Sequence, residues 1–369
     1  MFNKTGPMHW ELARQLAVAV ATEGEAEPNV DPVERIRFEE LGRIAEMHVR
    51  EATGLDTSSG GGSVSLRPLG RAAWAGETLA AWQPLLDPLA DMLGKTPILD
   101  AGQDQAEGLA SLIGSLGKIM GPAMLGLQLG SAIGHLSRRV MGQYDFPIPR
   151  DTGRIDIVPA NISAFAENWS LVTDDVRLWV CVNQITLHAV LRLPAVRSRM
   201  LDLLGAYVGA FRVDASGIEE RLSGVDPTDF AALQEALADP AGLEREQESQ
   251  VQTDNRVKLE AVVAAIEGFV DHVTENVGRR LIGQFGPLHE ALRRQRLERE
   301  NGEAFVEQLF GLQLGQEQFD RGAAFVAGVI ERAGEEGLSA LWRSESSLPT
   351  PAEVDAPGLW LERLSWEGR

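Results

Sequence analysis

The side chains that most often carry catalysis are few in this chain. Among its 369 residues there are one cysteine and six histidines, the latter being His9, His48, His135, His188, His272 and His289. No two histidines stand three or four residues apart, so no helix face offers a pair of imidazoles to a metal ion. Cys181 lies between Val180 and Val182, whereas a nucleophilic cysteine needs a partly exposed, electropositive setting. Serine-nucleophile, phosphate-binding and dinucleotide-binding motifs do not occur, and motifs alone nominate no catalytic group.

The chain is strongly acidic, with 54 Asp and Glu against 34 Lys and Arg and a formal charge of −20. This balance argues against nucleic acid as a partner, because binding requires phosphates to be neutralised by Lys and Arg. It argues equally against an anionic membrane surface. The single cysteine excludes an intrachain disulfide framework and a zinc ribbon, and the cytoplasm is the expected compartment.

The character of the sequence changes near residue 145. We therefore divide the chain into an N-terminal helical region, 1–145, and a second region, 146–369, and we expect the two regions together to form one compact unit. Apolar spacing predicts helices in both regions. They cover Trp10–Thr22, Val33–Ala52, Trp74–Leu93, Ala106–Val140, Asp174–Leu191, Ala195–Phe211, Pro227–Ala238, Asn255–Ile282, Leu288–Arg299 and Gln318–Arg332. Only Arg154–Pro159 alternates like a strand. The predicted fold class is therefore mainly α, with one or a few short strands near 152–160.

Two helices carry more detailed expectations. In the second helix the apolar face is predicted to contain Ile36, Leu41, Ile44 and Ala45. In the third, Pro84 and Pro88 are expected to interrupt the helix, because proline removes a backbone donor and clashes with the preceding turn.

Glycines at four-residue spacing, Gly126, Gly130 and Gly134, allow a partner helix to approach closely. The pattern predicts a tightly packed, buried helix, although in a membrane it drives helix dimers. The uncharged stretch around it, Ile119–Gly134, is shorter than the roughly 20 residues that cross a bilayer. A membrane-associated helical protein is the less favoured alternative.

Six segments resemble a known family. They are His9–Ala17 (HWELARQLA), Leu136–Asp145 (LSRRVMGQYD), Asp156–Phe165 (DIVPANISAF), Arg177–Leu191 (RLWVCVNQITLHAVL), Ala265–Val273 (AIEGFVDHV) and Leu341–Leu364 (LWRSESSLPTPAEVDAPGLWLERL). Together they are similar to the zincin-like metallopeptidase family best represented in actinobacteria. Some of its members are named for a genomic association with deazaflavin-cofactor synthesis, which suggests a metabolic context. The resemblance spans essentially the whole chain and implies a zincin-like helical domain.

The resemblance also implies a zinc site, because the family reads HExxH on the helix that corresponds to Arg177–Leu191. Two His at i and i+4 bind Zn²⁺ from one helix face, and the Glu between them deprotonates the zinc-bound water. Asn183 and Leu187 stand at the two histidine positions, and Gln184 stands at the catalytic Glu position. Glu267 is the best match for a third ligand. This chain therefore has a degenerate motif, and neither a catalytic residue nor a metal cofactor is expected.

Two functions follow from the degenerate motif. The leading hypothesis is a catalytically silent family member, a pseudoenzyme, that binds a protein or peptide, for instance along the edge of Arg154–Pro159. The alternative is a metal-dependent hydrolase or peptidase with a rearranged site that uses His188 or His272 with Glu267 and Asp271. That alternative requires these side chains to converge within about 2.0–2.2 Å of one metal ion. Against it, a shift of one residue turns His188 by about 100° away from the original ligand face.

Overall fold

A computed structural model of the chain describes residues 8–58, 62–95, 123–211, 248–298 and 301–367. The helices of the first part are α1 (Trp10–Ala21), α2 (Pro32–Thr53), α3 (Arg71–Lys95) and α4 (123–136). They are followed by α5 (Pro159–Asn168), α6 (Thr173–Leu191), α7 (Pro194–Val208), α8 (Gln250–Leu281), α9 (Phe285–Leu297), α10 (Asn301–Phe310), α11 (Gln316–Ala333), α12 (Pro351–Asp355) and α13 (Pro357–Glu367). Two 3₁₀ helices cover Glu335–Trp342 and Glu345–Ser347.

Within these ranges the β-structure is a two-stranded parallel sheet, made of β1 (Ser65–Pro68) and β2 (Arg154–Ile157). The mainly α fold and the strand near 152–160 are therefore confirmed. The sequence analysis missed β1, whose four residues are too few to display alternation and end in proline. The sheet joins the two regions divided at residue 145, because β1 precedes that point and β2 follows it.

The second edge of β2 is already engaged by the loop that follows α4. The Val158 N–H donates to the Met141 carbonyl at 2.9 Å, and the Asp156 N–H donates to Gln143 Oε1 at 3.3 Å. A peptide would have to displace these bonds in order to pair with this edge.

One expectation about an individual helix is wrong in part, and another is wrong. On the apolar face predicted for α2, Ala45 is buried and Leu41 is half-buried. Ile36 and Ile44 are 58% and 42% exposed, because the buried face continues through Phe38 and Val49. Pro84 and Pro88 both lie inside α3, which continues to Lys95. At these two positions the tertiary packing of α3 outweighs the free-energy cost of proline inside a helix. The predicted helix Pro227–Ala238 and the first part of Ala106–Val140 lie outside the described residues.

The glycine stripe of α4 packs closely against α1. A Cβ atom at Gly130 would collide with the Ala13 backbone, and one at Gly134 would lie 2.8 Å from the Ala17 carbonyl oxygen. The facing positions on α1 are the buried alanines Ala13, Ala17 and Ala21. The prediction of a tightly packed helix is confirmed, and no helix in the described part of the chain is long and apolar enough to cross a membrane.

Helices α6 and α8 lie at the centre of the molecule and pack against each other. Both are buried along most of their length, α6 from Val180 to Leu191 and α8 from Ala261 to Val270, with Asn183 half-buried in the first of these segments. Helix α8 also approaches α11 at backbone distance where Gly268 meets Gly322. These contacts fix the polar residues of α6 and α8 on a rigid framework.

Candidate functional site

A cavity of about 160 Å³ lies beside α6 and α8. The loop after α4, together with α9 and α10, closes its other sides. Its polar and charged lining residues are Arg139, Asp145, Asn183, Gln184, Glu267, Gln295, Arg296, Glu303 and Glu307. Its apolar lining residues are Val140, Met141, Tyr144, Phe146, Trp179, Val180, Leu187, Leu292, Leu314 and Phe319. All three degenerate motif positions and Glu267 thus face one space, as the resemblance implies.

The motif positions reach the cavity from the middle of α6. Asn183 and Leu187 are one helical turn apart and both line the cavity, as the i, i+4 spacing of two metal ligands requires. Leu187 is 2% exposed and presents only an apolar side chain. The loop opposite is held by Asn161 of α5, whose Nδ2 donates to the carbonyls of Ser137 at 2.8 Å and Val140 at 2.6 Å.

Gln184 is fixed to that loop by its amide. Its Oε1 accepts from the Tyr144 N–H at 2.8 Å, and its Nε2 donates to Asp145 Oδ1 at 2.9 Å and to Asn183 Oδ1 at 3.2 Å. The side chain also packs directly on Gly142, where a Cβ atom would collide with it. A glutamate here would turn an oxygen toward Asp145 in place of the N–H donor, so the local structure is built for an amide.

Asp145 is the acceptor that organises the loop. Besides Gln184, the N–H groups of Met141 and Gly142 donate to its carboxylate at 2.6 and 3.1 Å. Burial raises the pKa of Asp145 to about 7, and these three donors oppose the rise. A second carboxylate at position 184 would add like-charge repulsion to that burial.

Glu267 is the carboxylate in the cavity that has no partner among the described residues. It is 5% exposed, and no described residue donates a hydrogen bond to it or places a cation within 4.0 Å of it. Burial raises the pKa of Glu267 to about 8, while the charge of Arg296 lowers it and Asp271 and Asp145 raise it further. Arg296 is engaged elsewhere, since it contacts Asp271 at 3.5 Å and lies 3.7 Å above the Phe319 ring.

The other acidic side chains of the cavity have donors of their own. Glu303 lies 3.4 Å from the Arg139 guanidinium. Glu307 accepts from the Leu314 N–H at 3.1 Å. Glu267 therefore differs from Asp145, Glu303 and Glu307 in having no donor among the described residues.

The residues of the rearranged-site hypothesis are dispersed. His188 is not among the residues that line the cavity. Its Nδ1 lies 2.8 Å from the Tyr144 hydroxyl, and burial lowers its pKa to about 4. His272 bonds to Asn276 at 2.9 Å and lies 3.7 Å from Glu335. Asp271 pairs with Arg296. Of the four, Glu267 alone belongs to the cavity lining.

The side chains at the family's zinc position do not fit that ion. Zinc sites need three good protein ligands, but Leu187 has no ligand atom and Asn183 offers a neutral amide. Among the described residues, no group of three or more His, Cys, Asp or Glu side chains is arranged to hold a metal ion. Of the three ligand positions that the resemblance implies, only Glu267 has a side chain that binds zinc strongly.

Six polar residues of this cavity were not predicted from the sequence, namely Arg139, Asp145, Gln295, Arg296, Glu303 and Glu307. Arg139 and Asp145 both lie in the quoted segment Leu136–Asp145, which was the one available signal. The other four come from α9 and α10. No local spacing connects them with α6, because only the tertiary fold brings them together.

Comparisons with known proteins bear on the family and the fold. A family model described as zincin-like metallopeptidase matches residues 8–361. A crystal structure from Chloroflexus aurantiacus, described as a putative hydrolase with a novel fold, superposes with a TM-score of 0.66. That similarity covers 97% of this chain and 99% of the other at 22% sequence identity, and it shows a shared fold. No curated protein matches the chain significantly.

Proposed function

Because the chain belongs to the zincin-like metallopeptidase family, we propose that it is a catalytically silent member whose former metal site now binds a ligand. The pseudoenzyme would act in the cytoplasm as a binding or scaffold protein. Its partner is a protein or peptide that places a small group in the cavity beside α6 and α8.

The single observation that carries the proposal is the hydrogen bonding of Gln184. An amide cannot take a proton from water at neutral pH, so position 184 supplies no general base. Its two ends are matched to a backbone donor at Tyr144 and a carboxylate acceptor at Asp145. This match supports a structural role for Gln184, which has joined the loop and the helix in place of activating water.

The persistence of a cavity supports binding over a purely structural role. Leu187 removes a ligand without filling the space in front of Glu267, and the remaining volume is about 160 Å³. A site kept only for stability would be expected to pack closely, because unfilled volume costs contact energy. The half-buried side chains of Trp179, Gln295 and Arg296 line this space.

Metal content and hydrolysis together test the proposal. We expect the purified, untagged protein to contain far less than one zinc per chain by elemental mass spectrometry, and to show no saturable zinc binding in titration. We expect no metal-dependent cleavage of peptide or ester substrates. One tightly held transition metal per chain, with activity removed by a chelator, would contradict silence and favour the hydrolase with a rearranged site.

A further inference from the structure

From the Glu267 carboxylate and its surroundings, we propose that the cavity binds the ammonium group of an alkylamine, such as a lysine side chain or a small free amine. This inference rests on the proposed function, since it names the ligand of the same site. It assigns to Glu267 the role of counter-ion for the bound ammonium.

The first support is the isolation of a buried carboxylate. Glu267 lines the cavity, is 5% exposed, and receives neither a hydrogen bond nor an ion pair from the described residues. Buried charges in proteins are normally paired or hydrogen-bonded, because an isolated one loses its hydration without compensation. A ligand with N–H donors and positive charge would supply both missing interactions, and its charge would favour the ionised form of the carboxyl group.

The second support is that the arginine whose charge acts on Glu267 is held by other groups. Arg296 is the cation whose charge acts on Glu267. Its guanidinium lies 3.7 Å above the Phe319 ring and 3.5 Å from Asp271. The stacking and the contact with Asp271 hold Arg296 beside the cavity, with Glu267 beyond ion-pair distance.

The third support is the character of the remaining walls. Leu187, Leu292 and Leu314 offer apolar surface to an alkyl stem, in the way that lysine stems lie along apolar surfaces. Trp179 adds an aromatic ring, and aromatic faces attract cations. An anionic ligand is disfavoured, since four carboxylates but only two guanidinium groups line the space.

The size of the cavity limits the ligand to one small group. Its volume of about 160 Å³ is close to that of a protein cavity that holds a single benzene molecule, roughly 150 Å³. Drug-sized ligands occupy pockets of about 300 Å³ or more. One amino-acid side chain or one short amine is therefore the appropriate occupant.

Calorimetric titration of the full chain tests the inference with four probes. They are n-butylammonium, n-butanol, an acetylated and amidated Ala-Lys-Ala peptide, and the same peptide with norleucine in place of lysine. We expect each charged probe to bind about tenfold or more tightly than its neutral counterpart, since a charge-assisted hydrogen bond is lost in the latter. Tighter binding of the lysine peptide than of butylammonium would identify a peptide as the source of the ammonium. Equal binding would identify a free amine.

Variants connect the binding to one carboxylate. We expect Glu267→Gln to weaken binding of the charged probes about tenfold or more, and Glu267→Asp to weaken it less. Glu290→Gln is the matched control, because Glu290 is an exposed glutamate that pairs with Arg294 on α9, and we expect it to bind like the wild type. Circular dichroism and thermal unfolding would verify that each variant is folded.

Three results would overturn the ammonium site: no binding of either charged probe, equal binding of charged and neutral probes, or unchanged binding in a folded Glu267→Gln variant. A zinc titration on the same preparation separates this failure from failure of the proposed function. Absent zinc binding with absent amine binding would overturn the ammonium site alone. Stoichiometric zinc binding would overturn the silent-site proposal as well.

Discussion

Two buried carboxylates, Asp156 on β2 and Glu267 on α8, are treated differently by the same molecule. They are 3% and 5% exposed, so both residues lie almost entirely inside the protein. Asp156 is held by a two-pronged contact with Arg67, in which Nε donates at 2.6 Å and Nη2 at 2.9 Å. Glu267 faces the cavity with no such donor among the described residues. Burial alone therefore does not explain why Asp156 has a paired cation and Glu267 has none among the described residues.

The difference originates in how each carboxylate is positioned. The parallel register places Arg67 of β1 directly opposite Asp156 of β2, so backbone pairing brings the charges together. Glu267 projects from α8 into the cavity that Asn183, Gln184 and Leu187 of α6 also line. A buried pair with good geometry compensates its desolvation, and a carboxylate without a partner does not. We take the second arrangement as the mark of a ligand site.

The largest expected effect comes from giving Glu267 a metal partner. The double variant N183H/L187H restores the two histidine positions and makes Glu267 the third ligand. We expect it to bind one zinc per chain with Kd of about 1 μM or below, which corresponds to about 8 kcal/mol. Calorimetry and elemental mass spectrometry measure the affinity and the stoichiometry, and the wild type is the control.

Adding Glu267→Gln to that double variant should weaken zinc binding strongly, because the site would lose its anionic ligand. A folded double variant that binds no zinc would show that Glu267 does not point to the place where the two histidines meet. In that case the absence of a cation beside Glu267 would not mark a ligand site. Further addition of Q184E tests whether the general base can coexist with Asp145.

The sequence predicted the elements of this site better than it predicted their contacts. Helices α6 and α8 were predicted close to their observed positions, and the four motif positions line one cavity. The partners of Gln184 were not predicted, because Tyr144 and Asp145 approach it only through the fold of the loop after α4. Likewise Ile36 and Ile44 seemed to mark the buried face of α2, yet the face with Phe38 packs inward. An apolar pattern gives candidate faces, and tertiary packing chooses between them.

The next largest effect should follow from removing the partner of Asp156. Arg67→Met leaves that carboxylate buried without its cation, and we expect the free energy of unfolding to fall by about 3 kcal/mol. Arg154→Met is the matched control on the same sheet, because Arg154 is half-exposed and lies 3.9 Å from Glu77. Urea unfolding of both variants provides the measurement. Equal losses for the two would remove the paired side of the comparison.

A change of opposite sign is expected at Glu267, and it depends on pH. The pKa of Glu267 is raised from 4.5 to about 8, chiefly by burial, so the folded state binds its proton more tightly than the unfolded state. Its contribution to stability is fully present below pH 4.5 and is lost as the pH rises through 8. Glu267→Gln removes this dependence. The open space of the cavity reduces the cost of burying the charge. We therefore expect the free energy of unfolding of the variant, relative to that of the wild type, to rise by about 2 kcal/mol from pH 5 to pH 8.5.

Urea unfolding at several pH values, with no amine in the buffer, measures that gain. A difference between variant and wild type that stays constant with pH would show that Glu267 does not titrate across this range. An amine ligand should reduce the gain, because it stabilises the ionised carboxylate of the wild type by mass action.

The smallest effect is expected for an exposed pair, and it isolates what burial contributes. Glu290 lies 2.7 Å from Arg294, a distance similar to that between Arg67 and Asp156, but the two side chains are 53% and 60% exposed. Water compensates such charges whether or not they are paired, so we expect Glu290→Gln to change the free energy of unfolding by less than about 0.5 kcal/mol. A loss near that of Arg67→Met would mean that pairing distance alone determines these energies. A small loss for Glu290→Gln, compared with the pH-dependent change for Glu267→Gln, would show that a carboxylate needs a partner only where the fold has buried it.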